Sequence, residues 1–106
     1  MSEAELQVAD LRLEHFSPLV GDTFTVTHPD VTEALRLDSV VAGKADTDSR
    51  RLRLPFSLFL HGTTPNLVLN QQTHPLTHDT LGTFDLFMVP VGHNADGTIR
   101  YQVGFN

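Results

Sequence analysis

The sequence predicts a small, mainly β protein: an antiparallel β-barrel, or a compact sandwich, of five to seven strands with a short N-terminal helical segment. Three observations carry this prediction. Apolar and polar residues alternate over most of the chain after Gly21. Turn residues interrupt the alternation at short intervals. The chain has 106 residues, 40% of them hydrophobic, which is enough for the core of one domain spanning residues 1–106.

The helical segment is predicted to lie before Pro18. Apolar residues recur there at spacings of three and four, as on one face of a helix, at Leu6, Ala9, Leu13 and Phe16. Residues 2–5 match a capping box, although residues 1–10 are equally compatible with a frayed arm. Residues 16–21 predict a tight turn that ends in a glycine cap. We expect this segment to plug one end of a closed barrel.

The first strands are predicted after Gly21. Residues 23–28 alternate threonine with larger side chains, which is typical of a half-buried strand. Residues 33–42 fit either an amphipathic helix or a strand, and the β-branched run at 40–41 favours the strand. Residues 54–61 place four apolar side chains on one face, and Pro55 belongs at the start of that strand or on a sheet edge.

The second half of the chain predicts further extended segments at 67–70 and 73–78. Residues 84–91 are apolar on both faces from Leu86 onward, so this strand is expected to be covered on both sides at least at its end. An Asp-Gly turn signal at 96–97 then precedes strict alternation over 99–105. Together these two segments predict a β-hairpin.

The charge of the chain argues against several classes of partner. The formal net charge is −6, with seven Lys and Arg residues, so a cationic surface for nucleic acid or anionic lipid is not expected. A cluster at Arg50, Arg51 and Arg53 is either an anion site or a solvated loop. The chain has no cysteine, no signal-like start and no apolar run long enough to span a membrane, and a cytoplasmic location is expected.

The content of histidine is high for a chain of this length, with six among 106 residues. The weak metal candidates are His61, His74 and His78, because zinc needs three or four converging ligands. His74 and His78 would share one ion on a helix, whereas on a strand they lie about 13 Å apart. Pro75 favours the strand, so a metal site would need His61 or His28 alongside. The alternative is a set of scattered histidines, and we assign no metal and no cofactor.

Catalytic residue types are present without a catalytic motif. Ser57, His61 and either Asp79 or Asp85 contain the groups of a serine triad. No Gly-x-Ser-x-Gly elbow accompanies them, and a chain with this many acids and histidines contains such combinations by chance. We therefore assign no catalytic residue and expect a protein that is not an enzyme.

Two stretches resemble a known family. Residues 13–24 read LEHFSPLVGDTF, and residues 86–92 read LFMVPVG ahead of YQVGFN at 101–106. Together they resemble a family of small bacterial proteins classed as a domain of unknown function. The resemblance carries no catalytic residue and implies an accessory protein, beside genes for phage-tail-like fibres. We interpret the aromatic residues of these stretches as core and the glycines as turn residues: Phe16, Phe24, Phe87 and Phe105, with Gly21 and Gly92.

Three functions follow in order of preference. The first is a non-catalytic structural or protein-interaction module of a bacterial accessory system, which binds an unknown protein partner or further copies of itself. Such a partner could add a strand to an open sheet edge. The second is a small-ligand-binding barrel, in which the phenylalanines line a cavity instead of filling it. The third is a histidine-metal enzyme.

Overall fold

The computed structural model describes residues 7–43 and 55–105. Its six strands are β1 (Thr23–His28), β2 (Val31–Ala42), β3 (Phe56–Gly62), β4 (Gln72–His78), β5 (Gly82–His93) and β6 (Ile99–Phe105). One short helix, α1 (Leu13–Phe16), lies between two 3-10 turns, Val8–Asp10 and Ser17–Leu19. Among the described helices none is long and apolar enough to cross a membrane. The capping box at residues 2–5 and the arginines at 50, 51 and 53 lie outside the described residues.

The strands close into an antiparallel barrel in the order β1-β2-β3-β6-β5-β4. This confirms the predicted β-barrel, with a strand number inside the predicted range. Residues 33–42, which fit a helix or a strand, belong to β2. A closed order has no terminal strand, so strand addition at an open edge finds no support in this sheet.

The two longest strands make the closure possible. β2 pairs with β1 through its first half and with β3 through its second, and β5 does the same with β4 and β6. Each contains a register shift, between Leu37 and Ser39 in β2 and between Pro90 and Gly92 in β5. Such bulges bend a strand and increase its twist. Each long strand can therefore turn from one neighbour to the next.

Side chains that point inward fill the barrel. Alternate residues of every strand are buried, and the fully buried set includes Leu35, Leu37, Leu58, Leu60, Met88 and Tyr101. A small barrel is normally filled in this way by its own side chains. Of the four phenylalanines predicted to be core, Phe16, Phe24 and Phe105 are buried, whereas Phe87 is 52% exposed and contradicts the prediction.

The N-terminal segment covers one end of the barrel, here called the Phe16 end. The Phe16 ring lies 6.2, 5.9 and 5.5 Å from the rings of Phe24, Phe56 and Phe105. Those three residues stand where β1 and β3 begin and β6 ends. Gly21 has a φ of +96°, which lets the chain turn into β1 as predicted. Gly92 is different, since it lies within β5 and not in a turn.

The opposite end is organised by a buried carboxylate, and is here called the Glu33 end. Glu33 Oε2 accepts hydrogen bonds from the N–H groups of Thr63 (3.0 Å) and Thr64 (3.1 Å), and Oε1 accepts one from Thr64 Oγ1 (2.6 Å). A Cβ on Gly62 would lie 3.1 Å from the Ile99 carbonyl oxygen and 3.3 Å from Glu33 Oε2. Glycine at this position therefore allows the close approach.

Residues 67–70 correct a prediction, because they form no strand. Instead Leu69 is buried, and its N–H donates a hydrogen bond of 2.8 Å to the Tyr101 hydroxyl oxygen. Burial raises the pKa of Tyr101 above its usual 10.0; the Leu69 bond opposes this shift and the Glu33 charge adds to it. Of this apolar run, Leu69 is therefore explained by burial of a loop residue and not by strand pairing, whereas Val68 is exposed.

Candidate functional site

The histidines of β4 face the barrel interior at opposite ends of that strand. His74 is 1% exposed and His78 is 6% exposed, on either side of the inward-facing Leu76. The strand prediction for this segment is therefore confirmed, and the two imidazoles have different partners. Within residues 7–43 and 55–105, no three His, Asp or Glu side chains are placed to share a metal ion.

His74 pairs with His28 at the Glu33 end, which is one of the two juxtapositions that a metal site required. His74 Nε2 lies 2.8 Å from the Asn70 carbonyl oxygen, so this nitrogen carries the hydrogen. His74 Nδ1 then accepts from His28 Nε2–H at 2.7 Å. The lone pair that would bind a metal is therefore engaged in a hydrogen bond.

His78 belongs to a polar cleft at the Phe16 end. The cleft has a volume of about 470 Å³ and is lined by Gly21, Asp22, Thr23, His78, Asp79 and Thr80. His78 Nδ1 accepts hydrogen bonds from the N–H groups of Thr80 (3.1 Å) and Leu81 (3.2 Å). Its Nε2–H therefore donates to Asp22 Oδ2, at 2.8 Å. Both ring nitrogens are engaged, and the imidazole has no free lone pair with which to act as a base or a ligand.

His61 lies on the outer surface within a network of charges. Its Nδ1 is 3.2 Å from an Arg36 guanidinium nitrogen and 3.4 Å from Asp38 Oδ2, and its Nε2 is 3.2 Å from Asp96 Oδ2. The Thr98 hydroxyl and N–H both donate to Asp96 Oδ1. These two bonds, followed by His61, lower the pKa of Asp96 from 3.8 to about 2. The network ties the turn after β5 to β2 and β3.

The structure does not assemble the serine triad. Ser57 and His61 both point outward from β3, four residues apart, and Ser57 Oγ accepts a hydrogen bond from the Gln102 amide. Asp79 lines the cleft at the Phe16 end, and Asp85 is opposite Pro75 in the β4–β5 pair. None of the hydrogen bonds that the described residues form joins these side chains into a relay.

The outer wall of the barrel carries an apolar surface instead. We define the outer apolar face as Phe59 on β3 with Phe87, Val89 and Val91 on β5. Phe87 is 52% exposed and Val91 is 44% exposed. Cross-strand pairing places Val89 opposite Gln102, and Gln102 opposite Phe59. The expectation that β5 is covered on both sides is therefore wrong for the described part of the chain, because its outer side chains face solvent.

Arg100 borders the outer apolar face. Its guanidinium carbon lies 4.5 Å from the centroid of the Phe59 ring, which is a cation–π contact. The outer apolar face thus combines aromatic, aliphatic and guanidinium groups. Aromatic residues and arginine are types that protein interfaces favour over the rest of a protein surface.

The sequence contained signals for part of this arrangement. The run at 86–91 is apolar in both phases of a strand, and that second apolar phase becomes the exposed surface. Glu33 and Asp22 were missed. Glu33 lies in phase with Leu35 and Leu37, which marks an inward position, whereas nothing near Asp22 indicates its contact with His78.

Comparison with known protein families identifies the family of this chain. The model of a family described as a domain of unknown function (DUF6916) matches residues 11–105. No curated protein and no solved structure matches this chain.

Proposed function

The chain belongs to the DUF6916 family, whose function is unknown, and from that premise we propose that it is a non-catalytic module that binds a protein partner through the outer apolar face. The observation that carries the proposal is the exposure of Phe87 and Val91 on a strand whose inner side chains are buried. Barrel closure does not require these outward residues to be apolar. Their hydrophobicity is explained by a surface that is covered when a partner binds.

The area involved is large enough to matter for affinity. A phenylalanine buries 150–250 Å² in a core or interface, so covering the exposed half of Phe87 removes roughly 100 Å² from water. At about 25 cal/mol per Å² this contributes roughly 2.5 kcal/mol. Phe87 would therefore be an anchor, with Val89, Val91 and Phe59 around it.

The state of the histidines supports a non-catalytic module. The nitrogens of His78 are held by Asp22 and by backbone N–H groups, and His74 is held between His28 and a carbonyl. A general base needs an imidazole lone pair within reach of a substrate proton. Neither buried histidine offers one.

A second candidate function is the binding of a small polar ligand in the cleft at the Phe16 end. Its volume of about 470 Å³ and its hydroxyl and carboxylate lining favour this alternative. A thermal-shift screen of polyols and sugars, repeated on Asp79→Asn, tests it. A ligand that raises the melting temperature of the unmodified protein but not of the variant would support this function.

The cellular setting is also a proposal. The resemblance of residues 13–24, 86–92 and 101–106 to a family of small bacterial proteins supports a role in a bacterial accessory system, beside phage-tail-like genes and in the cytoplasm. Purification of the protein at native expression, with mass spectrometry of the retained proteins, tests this setting. Retention of tail or fibre proteins supports it, and their absence from every retained complex contradicts it.

Site-specific photocrosslinking tests the main proposal. A photoreactive phenylalanine analogue replaces Phe87, and in a control protein the same analogue replaces Thr32, an exposed residue of β2. In cells of the native host we expect a discrete heavier adduct from position 87 and none from position 32. An adduct of equal yield at both positions, or none at position 87, would contradict the proposal. Val89→Asp in the position 87 protein should abolish the adduct.

A further inference from the structure

We propose that the partner presents an acidic and apolar segment to the outer apolar face, and that Arg100 binds a carboxylate of that segment. This inference rests on the proposed function and specifies the chemistry of the partner. Its basis is the arrangement of charged side chains around Phe59 on the outer wall of the barrel. Among the described residues, Arg100 lies against the Phe59 ring and forms no ion pair with a carboxylate, and the exposed Val91 adjoins Gly92, which pairs with Arg100.

Arg100 is the only Lys or Arg between residues 55 and 105. Its guanidinium carbon lies 4.5 Å from the centroid of the Phe59 ring, and no carboxylate of the described residues forms an ion pair with it. The contact with an aromatic ring gives the guanidinium no carboxylate oxygen to bind, and its paired N–H donors match the two oxygens of a carboxylate.

The contrast with Arg36 supports this assignment. Arg36 lies on the same outer wall, on β2, with His61 of β3 between it and Arg100. Unlike Arg100 it has a carboxylate partner: Asp38 Oδ1 accepts a hydrogen bond from Arg36 Nε at 3.0 Å and lies 2.9 Å from a terminal guanidinium nitrogen. The carboxylates near Arg100 are also engaged: Asp38 with Arg36, and Asp96 with Thr98 and His61. Asp38 and Asp96 are therefore engaged by other groups, and neither of them forms an ion pair with Arg100.

The charged residues at the two ends of the outer apolar face determine how the partner's segment is oriented on it. Arg100 pairs with His61 and Gly92 across the sheet, at the end of the face where Val91 lies. Asp85 stands two residues beyond Phe87 on the opposite end. A carboxylate is attracted at the Arg100 end and repelled at the Asp85 end. The acidic residue of the segment therefore lies over Arg100, and its apolar residues lie over Val89 and Phe87.

The net charge of −6 does not favour an acidic partner at long range. The inference therefore concerns a short-range contact, in which the apolar face removes water from around the Arg100 pair. A charge pair is stronger where water is excluded. An acidic residue without apolar neighbours should accordingly bind poorly.

A peptide-display selection tests the chemistry directly. A random library of twelve-residue peptides is selected on the folded protein, after counter-selection on Phe87→Ser, which removes the aromatic anchor. We expect enriched peptides that combine Asp or Glu with aromatic or aliphatic residues. Enrichment of peptides without acidic residues, or no enrichment above the counter-selected background, would overturn the inference.

Charge reversal provides the second arm. The best enriched peptide should lose about tenfold or more in affinity for Arg100→Glu, and a peptide with its acidic residue changed to lysine should regain it. Arg12→Glu makes the same charge change on an exposed residue of the N-terminal segment and should leave the affinity unchanged. Equal losses in both variants would show a general charge effect and refute a carboxylate contact at Arg100. Thermal melting of each variant confirms that it is folded.

The outcomes separate this inference from the proposed function. A crosslinked partner at position 87 whose contacting segment has no acidic residue would refute the inference and leave the function intact. A dimer in light scattering that dissociates in Phe87→Ser would identify a second copy of the chain as the occupant, and would refute the inference for that reason. Absence of any crosslink would refute both.

Discussion

Substitution of Glu33 tests whether its hydrogen bonds to residues 63–64 stabilise that end of the barrel. Glu33 is a carboxylate at 1% exposure with three hydrogen bonds, two from the backbone of residues 63–64 and one from the Thr64 hydroxyl. In Glu33→Gln the amide oxygen can still accept both backbone N–H groups, but the amide nitrogen faces the Thr64 hydroxyl. In Glu33→Ala all three donors lose their acceptor. The two variants therefore remove different numbers of bonds from one place.

The expected magnitudes follow from those numbers. A hydrogen bond to a charged group contributes about 1.5–3 kcal/mol, and a neutral one about 0.5–1.5 kcal/mol. Glu33→Gln replaces charged bonds by neutral ones and should lower the free energy of unfolding by about 1–2 kcal/mol. Glu33→Ala should lower it by about 2–4 kcal/mol, since water can reach the turn at 63–64 and offsets part of the loss. A domain of this size has a total of about 5–15 kcal/mol.

The assay uses the single tyrosine of a chain that has no tryptophan. Urea unfolding followed by circular dichroism gives the free energies, and alkaline absorbance titration gives the pKa of Tyr101. Because the Glu33 charge contributes to the raised pKa of Tyr101, Glu33→Gln should lower that pKa while burial keeps it above 10.0. The control is Glu14→Gln, an exposed position on α1, which should change neither quantity.

Two results would refute this reasoning. If Glu33→Gln were as stable as the unmodified protein, the negative charge of Glu33 would add nothing to the hydrogen bonds that hold the turn. If Glu33→Gln and Glu33→Ala were equally destabilised, the loss would come from charge or packing and not from the number of acceptors. A Tyr101 pKa that does not move in Glu33→Gln would show that the Glu33 charge does not reach the hydroxyl.

The other predictions concern different parts of the barrel. Thr98→Val removes the hydroxyl donor, so the pKa of Asp96 should rise from about 2 toward 3.8 in a carbon-detected NMR titration. In the unmodified protein, the stability that ionised Asp96 contributes should be present above pH 3.8 and lost as pH falls toward about 2. If the unmodified protein and Thr98→Val unfolded identically in acid, the Thr98 hydroxyl would not stabilise the protein through Asp96. Long-range nitrogen NMR should show His78 as the Nε2–H tautomer, and a hydrogen on Nδ1 would contradict the bonds from residues 80–81. Phe16→Ala should cost about 3–5 kcal/mol in urea unfolding, and a cost below 1 kcal/mol would mean that the N-terminal segment does not seal the barrel.

Much of the barrel could be predicted from the sequence, because strand alternation is a local signal. The threonines at 23–27 gave β1, and the alternation at 99–105 gave β6, each without reference to any partner strand. The prediction of a strand at 67–70 was wrong because a short apolar run looks the same in a loop as in a strand. The contact that holds Leu69 in the core is with Tyr101, 32 residues further along the chain.

The candidate site was less accessible to sequence reasoning. An apolar residue on the second face of β5 indicates that something covers it, but not whether the cover belongs to the same chain, and Phe87 was placed in the core for that reason. The pairing of His78 with Asp22 joins residues 56 positions apart. Such contacts depend on barrel closure, which periodicity along one strand does not specify.

Closure of the barrel affects whether the exposed apolar residues on its outer wall lead to aggregation. Amyloid fibrils grow by templating, in which free backbone N–H and C=O groups recruit the next chain. In the ring of hydrogen-bonded strands that the described residues form, no open sheet edge offers such a template, even though Phe87 and Val91 are exposed. A partner that binds the outer apolar face, as we propose, would therefore be held by side-chain contacts, which are reversible and can be selective.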